Sequence, residues 1–460
     1  MSAGRAVADR VTILSPTGHL GFTPIEAGSF RRGLAERPDY LVADSGSCDI
    51  GPHPLGADEA CSPAAWQRQD LELMLRAARE LGIPMIVGSA SDTGTDRGVA
   101  QYAAVIRECA RAHRLAPFRL ATIRAEVPVD AVRRRLAAGE RVAGLDGRLD
   151  LTPAVLDRTS RIVAVMGVEP IIRALDLGAD VIIAGRSSDA AIFAAPAIRA
   201  GLPAAAAFYL GKTLECASFA AEPFMGKESV LGTATADAVL VSAMHPGQRC
   251  TPASVAGHAM YERASPLLQA EPGGVLDLAE CIYVQHDPRT TRVTGFRFHP
   301  DAVYRVKLEG AGRVGERALS IAGIRDPYTI AHVDAVVAWA RGKVEEAWGP
   351  PGDRYQLHYH VYGRDGVMGP WEPAPRPAHE LCLVVEAVAD RWEDAEVICA
   401  LGTRNLFYAR LPEVRGTAGT AALMMDEVLR GKPGYEWTLN HVVAVRDPLE
   451  LFTIAVEDVA

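Results

Sequence analysis

The chain has 460 residues, of which 49% are apolar and 23% are charged, and it carries a formal net charge of −9. This length predicts about two to three domains, and this composition argues against an intrinsically disordered chain. The acidic balance argues against nucleic acid as the main partner. It is compatible with a small anionic substrate, because a pocket on an acidic protein can be locally basic.

No apolar run of the sequence reaches the ~18 residues that a membrane-spanning helix needs, and the N-terminal segment lacks the apolar core of a secretory signal. None of the eight cysteines forms a CxxC pair, which argues against a zinc ribbon or a redox motif. We therefore expect a cytoplasmic protein with reduced thiols and no membrane partner.

Strand and helix patterns alternate along roughly the first 210 residues. The predicted strands cover residues 11–14, 40–43, 83–87, 118–123, 161–165 and 180–184, and the predicted helices cover residues 65–81, 98–113, 129–138, 169–177 and 190–200. Continuous apolar strands that alternate with helices are typical of a parallel sheet covered on both faces. We predict an α/β fold with a Rossmann-like, doubly wound parallel sheet over residues 1–228, which carries the site loops.

Two further segments follow this predicted domain. Residues 229–368 are expected to form an antiparallel β-rich section that ends in a helix over 329–348. The sequence GPWEPAPRP at 369–377 is the best linker candidate, and 378–460 is predicted to be a small α+β domain, with one of its helices over 418–430. Because about 80 residues build only a marginal core, we expect this domain to dock on an interface, which favours a homo-oligomer.

Four predicted strands are followed by residues drawn from the same few types, namely Gly, Ser, Asp and Arg. The strand at 40–43 continues into DSGSCDIG, the strand at 83–87 into GSASDTG and the strand at 180–184 into GRSSD, while 118–123 ends at Arg124. Ligands of open parallel sheets bind beyond the carboxyl ends of the strands. Glycine allows close backbone approach, and Ser hydroxyls, backbone N–H groups and Arg favour an anion.

These loops supply the candidate site residues. The predicted substrate-binding residues are Gly46, Ser47, Gly88, Ser89, Arg186, Ser187 and Lys212, and the predicted catalytic residues are Asp44, Asp49 and Asp189. Arg186 would clamp a carboxylate, the Gly and Ser donors at 46, 47, 88 and 89 would stabilise an enolate-like oxygen, and one Asp would move the proton. The alternative is that Ser and Asp here only cap helices, a role that suits Asp189.

The other patterns in the sequence are weaker evidence for a particular chemistry than the loops that follow the strands. His358 and His360 share a strand face, but no third metal ligand is adjacent, so the metal content stays unknown and a divalent ion stays open. Cys250 as a nucleophile would need His245 or His258 nearby, and Glu215 beside Lys212 is a further candidate acid. The loops contain neither a phosphate-binding GxxxxGK[ST] nor a GxGxxG motif, so a nucleotide cofactor has no specific support.

Several segments resemble the acyclic terpene utilisation (AtuA-like) family over about residues 10–345. They are DSGSCDIGP at 44–52, IPMIVGSASDTGTD at 83–96, GVEPIIRALDLGADVIIAGRSSDAAIFA at 167–194, LECASFAAEP at 214–223, RCTPASVAGH at 249–258, EPGG at 271–274 and KLEGAGRVGERALSIAGIRDP at 307–327. In the first, Ser45 and Cys48 depart from the usual DGGSTDxG pattern, whereas Asp44, Ser47, Asp49 and Gly51 match it. The resemblance implies a catabolic enzyme that acts on an acyl-CoA or a polycarboxylate.

Together these observations favour a catabolic hydratase, lyase or isomerase that uses acid–base chemistry on an anionic carboxylate or a CoA thioester substrate. Two alternatives remain open: a non-catalytic binding or assembly subunit of a partner enzyme, and a hydrolase with Cys48 or Ser47 as the nucleophile.

Overall fold

The computed structural model describes residues 8–263, 265–373, 378–414, 419–423 and 428–460. The chain forms two compact units: unit 1 is Met1–Gly312 with Trp437–Ala460, and unit 2 is Arg313–Glu436. These boundaries do not coincide with the predicted segments 1–228, 229–368 and 378–460. Local composition guided that prediction, whereas the units are set by contacts between residues that are far apart in the sequence.

The elements of the described residues are as follows. The helices are α1 (Ala27–Ala35), α2 (His53–Ala57), α3 (Ala64–Leu81), α4 (Asp96–His113), α5 (Val129–Ala137), α6 (Pro153–Asp157), α7 (Val168–Asp176), α8 (Asp189–Arg199), α9 (Ala204–Leu214), α10 (Pro252–Met260), α11 (Pro327–Ala331), α12 (Val333–Trp348) and α13 (Trp392–Tyr408). The strands are β1 (Val11–Ser15), β2 (Tyr40–Gly46), β3 (Met85–Asp92), β4 (Phe118–Arg124), β5 (Val142–Gly144), β6 (Arg161–Val165), β7 (Val181–Ala184), β8 (Val230–Ala234), β9 (Val239–Ala243), β10 (Leu268–Glu271), β11 (Gly274–Asp277), β12 (Ile282–Asp287), β13 (Thr290–Thr294), β14 (Arg297–Pro300), β15 (Arg305–Ile324), β16 (Tyr355–Tyr362), β17 (Leu381–Ala389), β18 (Ala422–Leu423), β19 (Leu429–Arg430), β20 (Gly434–Ala444) and β21 (Thr453–Val459).

Unit 1 is built on a mixed sheet. In the described part of the chain the strand order is β12-β13-β9-β8-β1-β2-β3-β7-β4-β21. The neighbours β1, β2, β3, β7 and β4 pair in parallel, and antiparallel strands extend the sheet on both sides. The α/β class with parallel strands is confirmed. The narrower description, a Rossmann-like and doubly wound sheet, stays a prediction.

Successive side chains of the parallel strands enter two separate cores, because strand residues alternate between the faces of a sheet. Val42, Ile86 and Ile182 belong to the core that also contains residues of α7, α8 and α9. Leu41 and Met85 belong to the core that contains residues of α3 and α4. Helices therefore cover both faces, which leaves the strand ends as the place where polar residues collect.

Three of the strands differ from the prediction. β6, the predicted strand at 161–165, does not join the parallel sheet but pairs antiparallel with β15, where Val163 lies opposite Glu309. The sequence predicts two short strands, over residues 304–308 and 318–321, where β15 forms one long strand. β21 was not predicted; it pairs with β4 along its whole length, from Thr453 opposite Arg124 to Val459 opposite Phe118.

Unit 2 packs α12 and α13 with β16, β17 and the later part of β15. Its core includes Val336, Leu357, Leu383 and Ile398. The helix predicted over 418–430 is wrong where the chain is described, because β18 and β19 pair with β15 there. Residues 418 and 424–427 of that helix lie outside the described residues, as do residues 374–377 of the linker candidate.

None of the helices in the described residues is both long enough and apolar enough to cross a membrane.

Candidate functional site

The carboxyl ends of β2, β3 and β7 meet at one edge of the central sheet, and predicted site residues lie together there. Asp44, near the end of β2, is in register with Gly88 of β3. Arg186, which follows β7, donates to Ser89 Oγ at 3.1 Å and to Asp189 Oδ1 at 3.5 Å. The charges of Arg186 and Asp189 both act on Asp44. We refer to Asp44, Ser89, Arg186 and Asp189 as the edge cluster.

The end of β3 has a strained backbone. Ser89, Ser91 and Asp92 have φ angles of 47°, 60° and 71°, in the left-handed region that residues other than glycine rarely adopt. A Cβ atom on Gly94 would come within 2.2 Å of the Arg186 backbone nitrogen. The strand end is thus folded tightly against Arg186, and only a glycine fits at position 94.

Asp92 fixes this strained segment through hydrogen bonds. Its carboxylate accepts from the backbone N–H of Cys61 at 2.8 Å and of Ser62 at 2.9 Å, and from Ser62 Oγ at 2.6 Å. His19 Nε2 lies 3.0 Å from Oδ1, the oxygen that also accepts from Ser62 Oγ. Burial alone would raise the pKa of Asp92, but these contacts outweigh it and lower the pKa below its ordinary value. Asp92 is therefore an ionised structural acceptor.

Arg186 is held by a carboxylate of the protein itself. Its Nε donates to Glu309 Oε2 at 2.8 Å and its second terminal nitrogen to Glu309 Oε1 at 3.4 Å. Lys307 Nζ lies 2.8 Å from Glu309 Oε1. Burial opposes ionisation of Glu309, yet the two cations lower its pKa to about 2. Glu309 therefore occupies the face of the Arg186 guanidinium that was predicted to clamp a substrate carboxylate.

Asp44 has one carboxyl oxygen with a partner and one without. Its Oδ2 accepts from the Gly46 N–H at 3.2 Å, whereas Oδ1 is buried and has no hydrogen-bond partner among the described residues. Burial raises the pKa of Asp44 well above its ordinary value, and the charge of Asp189 raises it further. Desolvation also raises the pKa of Asp189, although 37% of that side chain stays exposed.

The predicted oxyanion donors are mostly engaged with the protein. The Gly46 amide is bonded to Asp44, and the Ser47 hydroxyl accepts from the Asp49 N–H at 3.1 Å, which caps the 3₁₀ turn Cys48–Ile50. Ser89 Oγ accepts from the Ser187 N–H at 3.3 Å in addition to Arg186.

The hydroxyl of Ser187 donates to the Gly185 carbonyl at 2.8 Å. A Cβ atom on Gly88 would come within 2.8 Å of Ile192, so this glycine allows α8 to approach β3. These contacts assign Ser187 and Gly88 roles in building the strand edge.

Cys48 and Asp49 lie at the exposed rim of the edge cluster. Desolvation raises the pKa of the Cys48 thiol, which disfavours the thiolate that a nucleophile needs. The Ser47 hydroxyl is bonded to a backbone amide rather than to a base. Neither side chain therefore has the activated geometry of a hydrolase nucleophile.

A second group of buried charged residues begins at the end of α9. Lys212 and Glu215, one turn apart at the end of α9, form an ion pair with side-chain exposures of 5% and 11%. The Lys212 Nζ also lies 4.4 Å from the centre of the Tyr261 ring. His258 Nε2 is 2.9 Å from the Glu215 carbonyl, and burial lowers the pKa of His258 to about 3, so this imidazole is neutral.

Glu271 at the end of β10 completes this group. It accepts a hydrogen bond from the hydroxyl of Ser188, which caps the N-terminus of α8 immediately before Asp189. Burial raises the pKa of Glu271 to about 8 and the pKa of Glu215 to about 7. We refer to Lys212, Glu215, His258 and Glu271 as the inner cluster. Two of its carboxyl groups can change protonation near neutral pH.

Glu309 and Glu271 are site residues that were not predicted from the sequence. Both lie in segments that carried the family resemblance, KLEG and EPGG. A usable signal was present at Glu309, since a charged residue between Leu308 and Gly310 in an apolar strand needs a buried partner. Nothing local identifies that partner as Arg186, which lies 123 positions away.

The remaining predicted constellations do not have the arrangement that their chemistry requires. His360 pairs with Glu386 at 2.8 Å, and His358 is exposed. Burial raises the pKa of Cys250 to about 12, which argues against a nucleophilic thiol. In the described part of the chain, no group of three or more His, Cys, Asp and Glu side chains has the arrangement to hold a metal ion.

Comparison with known proteins gives a family assignment. The family model described as acyclic terpene utilisation family protein AtuA matches residues 11–435. The chain belongs to this family. The match spans the edge cluster, the inner cluster and nearly all of unit 2, so these features belong to the AtuA-matching region. No curated protein and no solved structure matches the chain.

Proposed function

We propose that the protein is a catabolic enzyme of acyclic terpene utilisation that moves a proton on an anionic carboxylate or CoA thioester, as a hydratase, lyase or isomerase does. One observation carries the proposal: Asp44 is a buried carboxyl group with a free oxygen, beside a second carboxyl group, at the carboxyl ends of parallel strands.

The pKa directions support a proton-transfer role. A general acid or base works best when its pKa lies near the working pH, and buried carboxyl groups reach that range through desolvation and mutual repulsion. Desolvation raises the pKa of both Asp44 and Asp189, and the charge of Asp189 raises the pKa of Asp44 further. Ionisation of Asp189 therefore favours the protonated form of Asp44. The pair can therefore hold one transferable proton.

Arg186 and Glu309 have a positioning role in this proposal. Their bidentate contact fixes the guanidinium between Asp189, Ser89 and the backbone of β2. The cation lowers the pKa of Asp44 in part and so opposes the effect of burial. Lys212 remains a candidate for substrate binding. A substrate anion would have to compete with Glu215, which already forms an ion pair with this lysine.

The test is proton exchange catalysed by the intact protein. A panel of branched acyl-CoA and enoyl-CoA thioesters, and their free carboxylates, is incubated in D₂O, and deuterium incorporation or water addition is followed by mass spectrometry. Replacing Asp44 by Asn is expected to reduce the rate by about 100-fold or more, because the acid–base group is lost. The matched control is Asp237→Asn, at a side chain that is 79% exposed.

If the wild type catalyses exchange and Asp44→Asn catalyses it at the same rate, the assignment of Asp44 is contradicted. An absence of exchange or addition with every member of the panel would contradict the proposed reaction class.

A further inference from the structure

Arg263, three residues beyond α10, has an unusual environment for a buried cation. All three nitrogens of its guanidinium are buried, and none has a hydrogen-bond partner among the described residues. The other arginines of the described chain with a buried, unpartnered nitrogen lack a partner only at Nε. A guanidinium stays charged, offers five N–H donors and is costly to bury without acceptors.

The acidic groups around Arg263 are engaged elsewhere. Glu215 forms its ion pair with Lys212, and Glu271 accepts from Ser188. Both carboxyl groups act electrostatically on Arg263, but desolvation dominates and lowers the pKa of this arginine. Since the pKa of Glu271 is raised to about 8, this group is largely protonated at neutral pH and does not balance the cation. The described carboxyl groups near Arg263 therefore do not give it a hydrogen-bonded counter-charge.

The segment that carries Arg263 lies beside the proposed catalytic groups. Its neighbour Tyr261 contacts Lys212 through its ring. The charges of Asp49, Lys212 and Asp189 act on the carboxyl group of Glu262. Glu262 also has a φ of 56°, a left-handed conformation that residues other than glycine rarely adopt. A strained residue thus precedes the unpartnered guanidinium, next to both clusters.

We infer that Arg263 binds the oxyanion of the ligand, a carboxylate or a phosphate group that supplies the acceptors that the described residues do not provide. This inference rests on the proposed function in one respect: the ligand is the substrate of the same site. The guanidinium fork matches the two oxygens of a carboxylate or of a phosphate equally well. Because Glu309 holds the corresponding face of Arg186, Arg263 takes the clamping role that the sequence suggested for Arg186.

Binding without turnover tests the inference. Isothermal titration calorimetry compares inorganic phosphate, free CoA and a branched-chain carboxylate on the wild type and on Arg263→Gln, Arg263→Lys and the control Arg297→Gln, at a side chain that is 57% exposed. Arg263→Gln is expected to lower the affinity for the preferred probe by about ten-fold or more. The control Arg297→Gln is expected to lower it by less than about two-fold. Lysine should give an intermediate loss, because it keeps the charge without the fork.

The choice of probe identifies the source of the oxyanion. Loss of phosphate and CoA binding with unchanged carboxylate binding assigns Arg263 to a phosphate group, and the reverse assigns it to the substrate carboxylate. Unchanged affinity for every probe in Arg263→Gln would overturn the inference, as would a wild type that binds none of them at concentrations up to about 10 mM.

Thermal unfolding separates a binding role from a structural one. Removal of an unpartnered buried charge should raise the Tm of the free Arg263→Gln protein and abolish the rise in Tm that the ligand produces. A lower Tm with unchanged affinity would mean that Arg263 is structural. If Arg263→Gln does not fold, the affinity of Arg263→Lys decides. Repeating the titration with Asp44→Asn keeps this test independent of the proposed chemistry, because that variant is expected to bind without turnover.

Discussion

Two arginines of unit 1 with buried guanidinium nitrogens, Arg186 and Arg263, have opposite environments. Arg186 donates to a carboxylate on β15, to a second carboxylate, to a hydroxyl and to a carbonyl. Arg263 has no hydrogen-bond partner for any of its guanidinium nitrogens among the described residues. Sequence favoured Arg186 as the ligand-binding residue because it follows a strand in the expected place. Position in the fold therefore locates a candidate site. Whether a charged side chain is already paired within the protein then distinguishes the residues that support the site from those that can bind a ligand.

The largest expected effect comes from breaking the paired arginine. Glu309→Leu leaves Arg186 buried without its main counter-charge, and loss of one partner of a buried pair costs about 3–5 kcal/mol. The free energy of unfolding, measured by urea denaturation, should fall by that amount. Glu280→Gln, at a surface pair with Arg297, is the control and should change stability by less than about 1 kcal/mol. Equal stability of Glu309→Leu and the wild type would show that Arg186 does not depend on this partner.

A smaller effect is expected at the backbone that surrounds Arg186. Gly94 has a φ of 69°, and its Cβ position is 2.2 Å from the Arg186 nitrogen, so Gly94→Ala should cost about 3 kcal/mol through strain and overlap together. Gly82→Ala is matched in φ, at 66°, but its Cβ position is open, so this control should cost only about 1–2 kcal/mol. Similar losses in the two variants would argue against close packing of this loop on Arg186.

The smallest effect concerns the pH dependence of stability near Arg263. Burial raises the pKa of Glu271 from 4.5 to about 8, so between these values the folded protein binds more protons than the unfolded chain. Stability should therefore decrease as the pH rises through this range and level off above it. Glu271→Gln removes this decrease, and urea denaturation between about pH 4 and pH 9 should show a gain of about 1 kcal/mol or more at the alkaline end. If the stability of Glu271→Gln depended on pH as that of the wild type does, Glu271 would not be the group that binds this proton.

The edge cluster could be predicted from sequence because its residues follow parallel strands directly. Asp44, Ser89 and Arg186 each come within a few residues of an apolar run, and parallel strands bring their carboxyl ends to one edge. The partner Glu309 could not be predicted in the same way. It arrives on β15, which pairs with β6 rather than with the parallel strands, and strand pairing over such a separation leaves no local signal.

Local patterns also failed where tertiary contacts override them. The apolar run near residue 422 favours a helix, but the described part forms the short strands β18 and β19 against β15. Glycines at 310, 312 and 315 interrupt the pattern of β15 and make one strand read as two. Gly312 lies so close to the Arg158 carbonyl, at 1.9 Å from its Cβ position, that a side chain does not fit, so this interruption is required by the packing.

The pairing of β21 with β4 has a consequence for biosynthesis. The last strand of unit 1 leaves the ribosome only after the whole of unit 2, residues 313–436, has been made. Until then β4 is an open edge of the sheet with unpaired backbone groups, which is the kind of surface that promotes association between nascent chains. Unit 1 can therefore complete its sheet only after translation of its C-terminal strand, and a chain that ends before Thr453 keeps an exposed β4 edge.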